Sequence, residues 1–455
     1  FRSQNFDRVK AALMNFFENR RRRRKFAGLI FFLLISAGVA PAADFIAGAD
    51  FSLLSFFESN GIAYKDNGAT QDALAILKNH GLNCVRLRLF TSSPAQAQAD
   101  PYDYINNLEY TVPLAMRVKN AGLKFMLDFH YSDTWADPAH QIMPDAWTNL
   151  TFTGLVQQMR SYNSNCIAAF KTADAMPDYV QVGNEITGGI MWPAGAVPGT
   201  NATVQWSQLG QLLTAAIQGI RDAAGQDMPK IVVHIDRGGD WDSTKWFFDN
   251  LIYTQHVPFD IIGESYYPVW HGSLGDFAHC LTNAALRYGK PVMVVETAFP
   301  WNNSYWKTNI YGIAPTTNGQ VQYVVALAQA VKNVPNGLGA GIFWWGAEYQ
   351  KLKNLNEAGF NTASFFDSWG NVLPVADAFG QMAAPLELNA RLDTSGLKLQ
   401  WPLSGAGMTL TTTTSLLPSS VWRPVTNSVQ TTGTVFDTTL PVDADSSRFY
   451  RLQSN

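Results

Sequence analysis

Between residues 45 and 350 the chain switches repeatedly between two rhythms of apolar spacing. Short β-branched runs at 45–53, 84–90, 124–131, 179–186, 231–236, 259–267, 291–299 and 341–348 read as strands. Between them, stretches such as Gln71–Asn79, Tyr104–Asn120, Gln205–Ala224 and Gly319–Asn333 repeat apolar residues at helical spacing. Eight strands, each followed by a helix, predict an α/β fold of the (β/α)8 TIM-barrel type. A doubly wound open sheet is the rival, but no glycine-rich phosphate loop follows the first strand.

In such a barrel the chemistry sits at the C-terminal ends of the strands. Those ends carry Asp50, Arg86, Arg88, Asp128, His130, Glu185, His234, Asp236, Glu264, Glu296 and Trp345. Strand alternation turns Val85, Leu87 and Leu89 to one face, toward helices, and Arg86 and Arg88 to the barrel interior. The same rule turns Asp128 and His130 inward and Leu127 and Phe129 outward. Glu185 and Glu296 end two runs too apolar to be solvated faces, and a buried unpaired carboxylate is costly. A carboxyl pair is what glycosidic cleavage needs. One protonates the leaving oxygen and the other attacks the anomeric carbon or activates water.

The pattern changes near Ala383-Ala-Pro-Leu386. Thr- and Ser-rich sequence follows, with short alternating runs such as Gly396–Trp401 and Arg448–Leu452. This divides the chain into a barrel over 44–384 and a small β-sandwich-like module over 386–455. The start has the three parts of an export signal: a basic block Arg20–Lys25, an apolar core Phe26–Val39 and small residues Ala40–Ala43. Arg23-Arg24-Lys25-Phe26 weakly resembles a twin-arginine signal. Met14 would give a more usual signal length, which sets residues 1–13 apart as candidate non-native sequence. The expectation is a secreted protein, extracellular or periplasmic, with a retained N-terminal anchor as the alternative.

Charge sharpens this. The formal charge of −3 hides a first 43 residues with nine Lys or Arg and two Asp or Glu. The remainder carries 24 basic against 34 acidic residues, a formal −10. That balance argues against nucleic acid or an anionic membrane as partner and suits a neutral polysaccharide. Fourteen Trp and sixteen Tyr suit a sugar-binding cleft, although core filling accounts for most of them. Cys84, Cys166 and Cys280 show no metal-ligand spacing, so buried free thiols are expected.

Several segments together resemble glycoside hydrolase family 53, the arabinogalactan endo-β-1,4-galactanases. They are Asp128–Pro138 with Pro144 and Trp147; Gly183–Thr187 with Trp192-Pro193; Ser265–Pro268 with Trp270-His271; and Val294–Thr297. The resemblance implies a retaining double displacement on β-1,4-galactan or arabinogalactan with no redox cofactor, and a monomer is expected. It gives Glu185 the role of general acid/base and Glu296 that of nucleophile. Asn184 would hold the 2-hydroxyl of the sugar being cleaved, and Trp345 would floor that subsite. Asp128, His130, Arg86, Arg88, Trp135, Tyr266 and Tyr267 complete the expected binding set. Arg86 or Arg88 and one of the two tyrosines would keep Glu296 ionised.

Other roles stay open at this point. The two glutamates could be ion-pair partners of the arginines, and the arginines could merely seal the barrel mouth. Asp128 and His130 could be one structural pair, Trp135 and Trp192 loop anchors, and His234 and Asp236 supports behind the site. Three departures from the family stand out. Residue 264 is Glu where an apolar residue is usual, so it could enter the site as a third acid or pair with an arginine. The final strand reads Phe343-Trp-Trp-Gly-Ala-Glu348 instead of Tyr-Trp-Glu-Pro. The loop Trp301–Lys307 lacks the acidic and His-containing stretch that some bacterial members use for calcium, which leaves calcium doubtful. A β-mannanase or β-glucanase on the same barrel, and a catalytically silent carbohydrate-binding protein, are the alternative functions.

Overall fold

The computed structural model describes residues 45–197, 203–302, 310–353, 355–417, 419–442 and 448–454. The export-signal region 1–43, and residues 303–307 of the loop considered for calcium, lie outside the described residues. Eight strands close into a barrel: β1 Ile46–Asp50, β2 Cys84–Leu89, β3 Lys124–Phe129, β4 Tyr179–Val182, β5 Lys230–Ile235, β6 Ile261–Ser265, β7 Val292–Thr297 and β8 Gly339–Trp344. All neighbours pair parallel and follow chain order, and β8 returns to β1 through Ile46 opposite Gly341.

Helices α1 Ala73–Asn79, α2 Leu108–Asn120, α3 Phe152–Thr172, α4 Thr203–Ala224, α5 Trp241–Asp249, α6 Leu274–Tyr288, α7 Thr317–Lys332 and α8 Val375–Gln381 alternate with the strands. Their starts are written in the sequence. Asp72, Asn107, Thr151, Asp240, Ser273 and Thr316 each accept a backbone N–H from the turn they open. The single helix expected over 104–120 is divided, because Asn107 caps a fresh helix after the short turn Pro101–Tyr104.

The barrel interior is layered. Its lower part is filled by Ile46, Cys84, Met126, Val232, Met293 and Phe343. Gly48 admits Phe343, whose ring atoms lie 2.3 Å from where a Cβ on residue 48 would stand. Above this plug come Arg86, Asp128, Gln181 and His234, all fully buried. Val85, Leu87 and Leu89 join the large outer cluster between strands and helices, as alternation requires.

Beyond α8 the chain builds two antiparallel sheets. One orders Asn389–Asp393, Gly396–Pro402, Val435–Leu440 and Gln430–Thr432; the other orders Arg423–Pro424, Met408–Thr413 and Phe449–Ser454. Leu397, Leu399 and Trp401 alternate with more exposed neighbours and continue the apolar cluster of the barrel instead of forming a separate one.

Candidate active site

At the C-terminal mouth a cavity of about 740 Å³ is lined by residues between Arg88 and Phe360, with none from the C-terminal sheets. Glu185 and Glu296 both face it. Glu296 arrives on β7, where the register shifts against both β6 and β8. Glu185 needs a sharper device. Strand β4 stops at Val182, Gly183 has φ 92, and Glu185 itself is left-handed at φ 49 and ψ 50. A non-glycine residue there costs roughly 1–2 kcal/mol, which the surrounding hydrogen bonds must offset.

The two carboxyls have different neighbours. Glu185 Oε1 accepts from the Ser265 hydroxyl at 2.6 Å. His234 Nε2 lies 2.8 Å from that hydroxyl, so the bonds assign the proton of His234 to Nε2. Nδ1 lies 3.1 Å from the Gln181 amide nitrogen, 3.4 Å from the Glu185 backbone N–H and 3.0 Å from Asn184 Oδ1. Burial also pushes His234 well below its ordinary value, which keeps the ring neutral. Burial first, then the charges of Glu296 and Asp236, push Glu185 well above the ordinary carboxylate range.

Glu296 is met by cations and donors. Arg86 reaches its Oε1 at 2.9 Å and the Tyr267 hydroxyl donates to Oε2 at 3.1 Å. Burial raises Glu296 as well, to about 7, but Arg86 and Tyr267 hold it below Glu185. Of the pair, Glu185 therefore keeps the proton.

Arg86 is the hub beneath the floor. It pairs with Asp128 at 2.8 Å and Asp50 at 3.1 Å, and donates to Asn184 Oδ1 at 2.8 Å and Gln181 Oε1 at 3.3 Å. Burial pushes Asp128 up, yet the Arg86 charge and then His130 outweigh it and hold its carboxyl below the ordinary value. Asp128 accepts from His130 Nε2 at 3.0 Å, and His130 Nδ1 accepts the Ala136 N–H at 2.9 Å, aiming the ring at the cavity. Asn184 donates one amide N–H to the Ala136 carbonyl at 2.9 Å and keeps a second.

The geometry corrects several expected contacts. Arg86 and Asp128 are fully buried and do not line the cavity, so they act through Glu296, Asn184 and His130. Arg88 lines the cavity but lies 4.2 Å over the Trp135 ring and 5.7 Å from Trp345, with Asp50 at 3.5 Å. It supports two aromatic walls. Tyr266 points away: its ring stacks on Phe277 of α6 and its hydroxyl donates to the Gly272 carbonyl. Of the tyrosine pair, Tyr267 brings its hydroxyl to the Glu296 carboxylate, and Tyr266 meets Glu296 through backbone alone. Glu264 shares the outward face with Tyr266, so it is neither a third acid in the cleft nor the ion-pair partner of a β2 arginine.

Trp135, Trp345 and Trp270 line the cavity, with Tyr102 and Phe360 beside them, offering the flat apolar walls that sugar rings pack on. Gln181, Ser265, Arg237 and Trp270 were not among the expected binding residues. Gln181 carried a signal, since it is the lone polar residue between Val180 and Val182 and alternation turns it inward. Glu357 and Phe360 come from the loop after β8, where no periodicity marks them. Among the described residues no group of three or more His, Cys, Asp or Glu could hold a metal ion.

The family model described as Glycosyl hydrolase family 53 matches residues 46–379, ending before the C-terminal sheets. An uncharacterised protein of Niallia circulans is 40% identical over 350 residues, 74% of this chain and 91% of its own length. An arabinogalactan endo-beta-1,4-galactanase of Humicola insolens is 34% identical over 331 residues, 70% of this chain and 95% of its own. A solved structure of a fungal beta-1,4-galactanase is similar with a TM-score of 0.66 at 32% identity, covering 73% of this chain and 98% of that one.

Proposed function

Because the chain belongs to glycosyl hydrolase family 53 and is a glycoside hydrolase of the endo-β-1,4-galactanase type, we propose that it cuts internal bonds of β-1,4-galactan or arabinogalactan with retention of configuration. Glu185 gives its proton to the glycosidic oxygen while Glu296 attacks the anomeric carbon, forming a galactosyl ester. Glu185, now ionised, takes a proton from water, which displaces Glu296 and returns the enzyme to its resting state. The observation that carries this reading is the division of partners between the two acids: a hydroxyl for Glu185, a guanidinium and a phenol for Glu296. That division favours one protonated and one ionised carboxyl, as the first step requires.

Retention requires the carboxyl groups about 5–5.5 Å apart. Support comes from Ser265, which stands opposite Glu296 in the strand register while its hydroxyl bonds Glu185. The second Asn184 N–H is proposed to meet the 2-hydroxyl of the reacting sugar. The test is direct: incubate the protein with galactan, mannan, xylan and cellulose, and follow reducing ends and the anomer formed first by proton NMR. Galactan alone should be cut at internal bonds, with the β-hemiacetal appearing before mutarotation. Mannan hydrolysis with galactan untouched, or a first-formed α-anomer, would overturn the proposal.

Export, action as a monomer, a barrel spanning 44–384 and a dispensable module over 386–455 belong to the same proposal. Polymeric galactan is too large to be imported whole, which agrees with the signal-like Arg20–Ala43 stretch. Among the described residues no helix is long and apolar enough to cross a membrane. A chain truncated near Ala384 should keep kcat on soluble galactan within about two-fold, because no cleft residue lies beyond Phe360. Its melting temperature should fall, because Leu397, Leu399 and Trp401 continue the apolar cluster of the barrel. Loss of turnover in a truncated chain that circular dichroism shows folded would refute the division.

A further inference from the structure

Glu264 is a carboxyl on the wrong side of a barrel strand. It sits on the outer face of β6 at 0% exposure, where β6 packs on helices and apolar residues are the rule. Its Oε2 accepts the Arg237 N–H at 3.2 Å, and its Oε1 lies 3.1 Å from the Thr244 hydroxyl at the start of α5. The same hydroxyl lies 3.3 Å from the Arg237 carbonyl. One acid and one alcohol therefore hold both polar ends of residue 237.

Protons can be assigned around this ring. Burial pushes Glu264 well above the ordinary carboxylate range, which favours the neutral acid. The acid donates to Thr244, Thr244 donates to the Arg237 carbonyl, and the Arg237 N–H returns to the other carboxyl oxygen. Cys280 backs the ring, 3.4 Å from the Thr244 hydroxyl and 3.7 Å from the Arg237 carbonyl. The residues that follow are held just as closely. Gly238 donates to the Ser265 carbonyl at 3.3 Å, and the His271 carbonyl stands 1.6 Å from where a Cβ on Gly239 would be.

This effort fixes a segment that enters the cleft. The Arg237 side chain is 39% exposed and lies 3.5 Å from Asp236, and it lines the cavity with His271 and with Trp270, which is 62% exposed. Asp236 accepts from the hydroxyl of Thr187, two residues past Glu185, at 2.6 Å and lines the cavity with that glutamate, the acid that serves the departing sugar. Arg237 therefore flanks the leaving-group side.

We infer that Glu264 is a positioning residue for substrate binding. Through the Arg237 peptide it aims the guanidinium at hydroxyls of the galactosyl unit on the leaving-group side, while Trp270 offers that unit an apolar face. The inference rests on the galactanase reading above.

The test compares kcat/KM on galactan with kcat/KM on nitrophenyl β-galactobioside, whose aryl leaving group lacks the hydroxyls Arg237 would bind. In Glu264→Leu and in Arg237→Ala the galactan-to-aryl ratio should fall about ten-fold, mostly through KM, the effect of losing about one charged hydrogen bond. The double variant should fall no further than either single one. Glu264→Gln, whose amide can donate to Thr244 and accept from Arg237, should restore the ratio to within about two-fold. If Glu264→Leu does not fold, Thr244→Val breaks the same ring at its other member and should lower the ratio in the same direction. An unchanged ratio in these variants, additive losses in the double variant, or a Glu264→Gln as impaired as Glu264→Leu would overturn the inference. A wild-type protein that leaves galactan intact would instead overturn the function reading itself.

Discussion

Glu296→Ala should abolish galactan turnover, lowering kcat by at least about 10⁴-fold, because no other group can take the sugar in covalent linkage. Glu185→Ala should be almost as slow on galactan and much less impaired on nitrophenyl β-galactobioside, whose leaving group departs without a proton. Azide separates the two roles further. In the space vacated by Glu296 it should attack once and give the α-galactosyl azide. In Glu185→Ala it should displace the ester of Glu296 and give the β-galactosyl azide, two inversions leaving the original configuration. The pH profile carries the same assignment. Burial and the Glu296 charge raise Glu185 well above the ordinary range, so loss of its proton sets the alkaline limb on galactan. Glu185→Gln assayed on the aryl substrate should lose that limb. A Glu185→Ala variant equally impaired on both substrates would exchange the two roles or remove them.

Much of this site was legible before any coordinates, because a barrel makes alternation a statement about depth. Arg86 and Asp128 are polar residues in apolar strands, and period two carried both inward. On β6 the same rule put Glu264 and Tyr266 on a common face but left open whether that face is inside. Ile261 lies in the inner plug, and period two along β6 gives Gly263, Ser265 and Tyr267 its face. Ser265 and Tyr267 therefore point inward and meet Glu185 and Glu296. Glu185 was legible as a carboxyl at a strand end, whereas its left-handed turn was not, since glutamate has no preference for that conformation. Arg88 lines the cavity, as inward alternation requires. Only the packing of Trp135 against it reveals a support for the aromatic walls.

Arg86→Met should cost about 3–5 kcal/mol of stability, the usual penalty for stranding buried charges. Methionine replaces the apolar stem and stops short of the guanidinium, so a packing loss adds to the electrostatic one. The wild-type guanidinium serves Asp50, Asp128 and Glu296 at 3.1, 2.8 and 2.9 Å, the first two fully buried and the third at the cavity floor. Without it Asp128 and Glu296 lose the charge that favours their ionised forms, so their folded pKa values rise above the unfolded ones. A group raised in this way stabilises below its unfolded pKa and loses that contribution as pH climbs through the folded value. Wild-type Asp128 behaves oppositely, being held below its ordinary value and contributing most above it. The deficit of Arg86→Met should therefore widen from about pH 4 to about pH 7, as read from urea midpoints. Arg86→Lys should recover part of the stability but little activity, because an ammonium cannot spread donors across Asp50, Asp128, Asn184 and Glu296 at once. The acid limb of its pH profile should move to higher pH as Glu296 loses the partner that favours ionisation. A variant with an unchanged urea midpoint and an unshifted acid limb would mean that Arg86 neither balances the buried carboxyls nor holds the nucleophile ready.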